Sequence, residues 1–315
     1  LFNSFEGYWR YAKDLIDRAL KSEVDKMHFS RYLAHSIAGG KRFRGTLTLL
    51  MAQSLGGSVD DALPFGVAVE LVHQGTLIHD DFLDRHETRR NRVPLYKLLD
   101  PRRAFLLADM LLSIAQWKLT GSKDGYKTLA KAIYETCHGA CMEPLNPRAF
   151  LKSLQRGGMR EVAYFTLVRL KTAGLFGAAC KLGSLVSDPS MAHHAYRYGI
   201  RVGTAYQLAD DLCDYLIARR EGKIELPIAT KLIPFLFHFA PSILPKLILL
   251  FPDGKLERVE KELDKADIVR KSEREMKRQI DMAKKAVETF PQNAYTNLLT
   301  EAPSFLAQKL LEESA

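Results

Sequence analysis

Cysteine and tryptophan are scarce in this chain, with four and two in 315 residues. Four cysteines, at 137, 141, 180 and 213, are too few to staple a chain of this length, which argues against a disulfide framework. Cys137, His138 and Cys141 lie close together, but no second ligand pair follows at zinc spacing, so they read as helix-packing residues. Long apolar runs are missing too. The greasiest stretch, residues 232–251, is interrupted by Pro234, His238, Pro241, Pro245 and Lys246, which argues against a membrane span. There is no glycine-rich phosphate loop, zinc finger or RNA-recognition signature. Nor is there a series of alternating strands or a repeat of solenoid length. The N-terminal residues carry no secretory signal, and a cytoplasmic enzyme is expected.

What is present is charge and helical periodicity. The net charge is +9 and the isoelectric point near 9.3. Such an excess favours phosphate-bearing ligands, an anionic membrane surface or nucleic acid, and the missing signatures set the last aside. Phe5, Tyr8, Trp9, Ala12, Leu15, Ile16, Ala19 and Leu20 follow 3-4 spacing, as do Met276, Ile280, Ala283, Val287 and Phe290. Ser272 with Glu275 predicts a capping box for the second of these helices, and Pro291 its stop. Asp100-Pro101 predicts an N-cap followed by proline at the first helical position. Gly56-Gly57 and Asn91 to Pro94 read as loops. No linker divides the chain, so the expectation is one all-α domain over residues 1–315.

Two acidic clusters of one form stand out: Asp80-Asp81-Phe82-Leu83-Asp84 and Asp210-Asp211-Leu212-Cys213-Asp214. Residues i and i+4 share a helix face, so Asp80 points with Asp84, and Asp210 with Asp214. Carboxylates so close repel unless a cation sits between them. Oxygen-only ligands suit magnesium, which binds through one or two carboxylates plus substrate phosphates. His73, Leu77, Asp80 and Asp84 fall on one face, and Val69, Val72 and Thr76 run up to Asp80 beside them. The first cluster thus sits at the mouth of a mostly apolar stripe, which is either plain core or the lining of a pocket for a greasy tail. Around the clusters lie Gly39-Gly40-Lys41-Arg42-Phe43-Arg44, Arg89-Arg90, Ala108-Asp109, Lys171-Thr172, Tyr206-Gln207 and Gly222-Lys223 with Leu226-Pro227. Arginine's planar fork suits phosphate oxygens, and lysine adds a point charge.

This order of motifs resembles the trans-type isoprenyl diphosphate synthases, the polyprenyl synthetase family, over essentially the whole chain. The resemblance is strongest from Gly39 to Arg90 and from Lys171 to Pro227. It implies a bundle of long helices around a central cavity, usually as a homodimer, with three magnesium ions per site. It implies that Asp80, Asp84 and Asp210 bind magnesium, with Asp81, Asp211 and Asp214 supporting the metal sites. It assigns the allylic diphosphate to Arg89, Lys171, Thr172, Gln207 and Lys223, and isopentenyl diphosphate to Lys41, Arg44, His73 and Arg90. Asp80, Asp84, Lys171, Gln207 and Asp210 would carry the catalysis. Nucleic acid is not an expected partner, and any membrane contact, for product release, would be peripheral.

The chain also departs from the family pattern. The loop after the second cluster is short and lacks one diphosphate lysine, for which Arg219 or Arg220 is a candidate substitute. Asn91 replaces a common glycine after Arg89-Arg90, and Ala108 replaces a glycine before Asp109. In the family, bulk below the first cluster sets product length. Here Val72, Gly75 and Thr76 are small or modest, and Trp117 is a candidate lower plug. The expectation is a product of 25 carbons or more, geranylfarnesyl or longer. A geranylgeranyl diphosphate synthase or a regulatory subunit of a heteromeric synthase is the alternative, and a terpene cyclase the nearest other class.

Overall fold

The structure, a computed structural model, describes residues 2–143, 164–221, 226–241 and 265–314. The elements among them are helical, and the only extended pairing among them is an isolated bridge between Arg89 and Arg92. Helix α1 (Phe5–Asp25) begins where Ser4 accepts from the Gly7 N–H at 3.3 Å, a side-chain N-cap. It buries Phe5, Tyr8, Ala12, Ile16, Leu20 and Val24, the predicted stripe carried one turn further. After α2 (Ser30–Ile37), α3 (Phe43–Ser54) is buried on nearly every side, polar Arg44, Thr46 and Thr48 included. A helix hidden all round belongs to the interior.

Helix α4 (Val59–Leu83) starts at a Ser58 cap that accepts from the Asp61 N–H at 3.1 Å. It packs on α3 through glycine: a Cβ on Gly45 would lie 3.2 Å from the Gly66 carbonyl and 2.8 Å from Ile16 Cδ1. That backbone-to-backbone approach holds the Lys41–Arg44 segment beside the α4 face that leads to Asp80. The chain continues through α5 (Leu95–Leu98), α6 (Pro101–Lys118) and α7 (Lys123–Met142). Asp100 caps α6 as predicted, accepting from Arg103 N–H at 3.0 Å with Pro101 in the first turn.

Helix α8 (Tyr164–Val168) runs through a π turn, Arg169–Ala173, into α9 (Gly174–Ser187). Then come α10 (Ala192–Glu221), α11 (Leu226–Phe239), α12 (Ile268–Val287) and α13 (Ala294–Ser314). One large apolar cluster gathers α1, α3, α4, α6 and α9. A second gathers α8, α10 and α11 around Tyr164, Leu212, Tyr215 and Phe235. No described helix is long and apolar enough to cross a membrane.

Three expectations need correction. The Ser272–Glu275 capping box does not form, because α12 begins earlier, at Ile268. Ser272 is inside the helix and its hydroxyl returns to the Val269 carbonyl at 2.9 Å. Glu275 instead pairs with Arg278. Trp117 is 75% exposed on the outside of α6, so it plugs nothing. Cys137, His138 and Cys141 lie exposed on α7 rather than packed inside, with His138 stacked on Tyr134.

Candidate active site

A cavity of about 690 Å³ opens between the two apolar clusters, walled by α3, α4, α7, the π turn and α10. The α4 face supplies Glu70, His73, Thr76, Leu77 and Asp80. The 3-4-3 spacing of Glu70, His73, Leu77 and Asp80 explains why one helix presents all four. Asp210, Asp211 and Asp214 line the same cavity from α10. Asp80 of the first motif thus shares a cavity with all three aspartates of the second. Asp84 is the C-cap of α4 and is not among the cavity-lining residues; His86 Nε2 lies 3.9 Å from its carboxylate. Asp81 turns inward and accepts from Arg89 Nε at 2.7 Å, with His86 Nδ1 at 3.1 Å.

The cations occupy two groups. Lys41, Arg42, Arg44, His73 and Arg90 crowd one end. Arg42 is buried, bonded to Asp17 at 2.7 Å, with Glu70 at 3.9 Å. Arg44 lies 4.4 Å over the Phe176 ring, and its buried Nε has no hydrogen-bond partner. Burial lowers the pKa of both Arg44 and Arg90. Burial first, then the guanidiniums of Arg44, Arg90, Arg89 and Arg42, hold His73 well below the usual histidine range. At neutral pH His73 is therefore an uncharged hydrogen-bonding group, not a further cation.

Arg42, Arg90 and Asn91 all line the cavity with left-handed backbones, at φ 56°, 53° and 57°. Strained conformations of this kind gather at functional sites. The value at Asn91 accounts for its replacing glycine, since asparagine is the side chain that best tolerates that region.

At the other end, Thr172 donates to Gln207 Oε1 at 2.6 Å, and Gln207 Nε2 donates to Asp210 at 3.1 Å and Asp211 at 3.0 Å. Tyr164 donates to the other Asp211 oxygen at 2.5 Å. Burial, then the neighbouring charges of Asp210 and Asp214, push the Asp211 carboxyl up to about 8. Lys171, from the π turn, forms an ion pair with Glu143.

The remaining assignments separate. Thr76 lines the cavity, but Gly75 faces α6, where a Cβ would sit 3.0 Å from Leu112 Cδ2 and 3.1 Å from the Ala108 carbonyl. Val72 is fully buried in the core. The expectation that both shape the pocket floor is therefore corrected: their faces are taken by packing. Lys223 lies outside the described residues. Arg219 and Arg220 end α10 away from the cavity lining, Arg219 5.9 Å over Tyr215.

Sequence reasoning gave no role to Glu70, Tyr164 or Glu143. Glu70 was within reach, one turn before His73 on the same face. Tyr164 and Glu143 act through Asp211 and Lys171, far away in sequence, and no local pattern marks them.

Residues 26–225 match the family model described as polyprenyl synthetase. The chain belongs to the polyprenyl synthetase family. A geranylgeranyl pyrophosphate synthase of Geoglobus acetivorans is 27% identical, covering 95% of this chain and 96% of its own. A geranylfarnesyl diphosphate synthase of Methanosarcina mazei is 28% identical over 94% of this chain and 88% of its own. A polyprenyl synthase structure from Caulobacter crescentus, complexed with calcium and isoprenyl diphosphate, superposes with a TM-score of 0.74 at 23% identity, covering 96% and 97% of the two chains. The all-α polyprenyl synthetase architecture thus holds across the described residues.

Proposed function

We propose that the chain is a magnesium-dependent trans-prenyltransferase that joins isopentenyl diphosphate to an allylic diphosphate. One observation carries this reading. Asp80 of the first acidic motif, all three aspartates of the second, and Lys41, Arg44, Arg89, Arg90 and Lys171 line a single cavity, whose small or apolar wall residues include Thr76, Leu77, Thr136, Ala140, Leu167 and Val168. Its volume lies within the range of about 300–1,000 Å³ usual for small-molecule sites. The reading extends to residues 1–315 as one unit.

The donor chemistry fits a divalent ion. Magnesium takes few protein carboxylates and shares the rest of its coordination with phosphate and water, which the oxygen-only donors here match. Asp80 and Asp210, with Asp84 and Asp214 beside them, would hold it, and the mutual repulsion felt at Asp211 is what a cation relieves. Bound magnesium would neutralise the charge growing on a departing diphosphate.

The protein's own groups account for the rest. Lys171 and Arg89 bind the allylic diphosphate electrostatically, favouring the state in which its C–O bond has broken. Thr172 fixes the Gln207 amide, so its carbonyl dipole faces the developing allylic cation. Lys41, Arg44 and Arg90, with neutral His73, hold the second diphosphate and aim its double bond. That double bond supplies the electron pair for the new C–C bond, and the final proton leaves to the released diphosphate.

The finer proposal is a product of 25 carbons or more, and Thr76 is what supports it. It sits one turn below Asp80, and an α-helical turn rises about 5.4 Å, near one isoprene unit. Incubation with labelled isopentenyl diphosphate and each allylic starter, followed by chain-length measurement, tests both levels. Thr76→Phe is expected to shorten the product by one or more units. An unchanged length would remove Thr76 as the ruler, and no product from any starter would remove the enzyme. Gly75→Phe is the weaker test, since it would wedge α4 from α6.

We read the molecule as a homodimer. Leu106, Met110 and Trp117 form an exposed apolar stripe along α6, with Tyr134 exposed on α7. Exposed apolar side chains gathered on neighbouring helix faces invite a partner surface. Trp117→Glu is expected to shift the sedimenting species from dimer to monomer; a wild-type monomer would overturn the assignment.

A further inference from the structure

Glu143 is the first residue after α7, with its backbone already extended and its N–H still bonded to the Gly139 and Ala140 carbonyls. The capping geometry anchors its backbone. Its carboxylate lines the cavity and takes the Lys171 ammonium, each side chain about one-fifth exposed. One turn earlier on the same face, Gly139 lets α7 lie directly on the π turn. A Cβ there would be 2.7 Å from Leu170 Cβ and 2.9 Å from Lys171 Cγ. Helix α7 therefore grips both ends of one side chain, the stem against Gly139 and the head on Glu143.

Lys171 is the cation that the proposed function gives to the allylic diphosphate, and this inference rests on that reading. An ammonium is a compact point charge that re-aims easily on its flexible stem. A carboxylate and a diphosphate oxygen make the same charge-assisted bond to it. We propose that Glu143 is a positioning residue that stands in for the diphosphate: it keeps Lys171 extended at the cavity wall and competes with the diphosphate for it. Arg89 shares this arrangement through Asp81. Arg44 does not, since its Nε carries no partner.

The test uses the full-length protein and inorganic pyrophosphate, titrated calorimetrically without added metal. Glu143→Gln keeps the shape and removes the charge. It is expected to tighten pyrophosphate binding about tenfold, the scale of one charge-assisted bond. In turnover it should lower KM for the allylic substrate while KM for isopentenyl diphosphate stays put. A double-mutant cycle separates this from a general charge effect. With Lys171→Met as background, Glu143→Gln should no longer tighten binding. Equal tightening in both backgrounds, or none in either, overturns the proposal and leaves the diphosphate site standing. If Lys171→Met alone leaves pyrophosphate binding unchanged, both the proposal and the allylic assignment of Lys171 fall.

Discussion

Alanine at Asp80 or at Asp210 is expected to lower turnover about a thousandfold, the scale seen when a transition-state charge loses a dedicated partner. The fold should not suffer. Asp80 lies in the last turn of α4, where the helix dipole disfavours a negative charge. Its removal lifts that unfavourable dipole interaction. Asp210 accepts one bond from Gln207, which keeps its other bond to Asp211. Steady-state incorporation of labelled isopentenyl diphosphate, set beside thermal melting, checks both halves. Wild-type-like activity in both variants would sink the metal assignment, and a collapsed melting temperature would show that the carboxylates are structural.

The second large effect concerns Arg44, where activity and stability should move in opposite directions. A guanidinium held inside the bundle with an unbonded Nε costs the folded state, because nothing there replaces the water it gave up. Its contact with the Phe176 ring returns only part of that cost. Arg44→Met keeps the stem and removes the charge. The melting temperature is expected to stay level or rise, as when buried charges give way to well-packed apolar groups. KM for isopentenyl diphosphate should rise about a hundredfold, since a charged partner bound in a dry pocket contributes several kcal/mol. Equal losses of stability and activity would mean that Arg44 is a structural residue.

Much of this site was legible from spacing. The α4 stripe and the Asp100 cap follow from local periodicity, which one helix is enough to express, whereas the meeting of the two acidic motifs, on two distant helices, was expected only from the family resemblance. What was not legible depended on neighbours. Gly75 and Val72 share the small size expected of a pocket floor, yet the approach of α6 takes Gly75 as packing surface and Val72 is buried in the core. Trp117 has the composition of a plug, but the helix face that carries it turns outward. Ser272 and Glu275 have the spacing of a cap, but the helix begins a turn earlier. Residue type and interval cannot show which side of a helix another helix will cover.

The π turn at Arg169–Ala173 bears on how such a protein can change over time. One extra residue in a turn advances everything beyond it by about 100° around the helix axis, since 3.6 residues make a full turn. Lys171 and Thr172 lie within that slippage, and the Gly174–Ser187 helix that packs into the core lies after it. The phase of the chemistry and the phase of the packing are thus set separately along one continuous helix. Substitutions that tilt or refit the buried half need not swing the cation off the cavity. Pocket shape can therefore drift across generations while the charged end of the site stays in register.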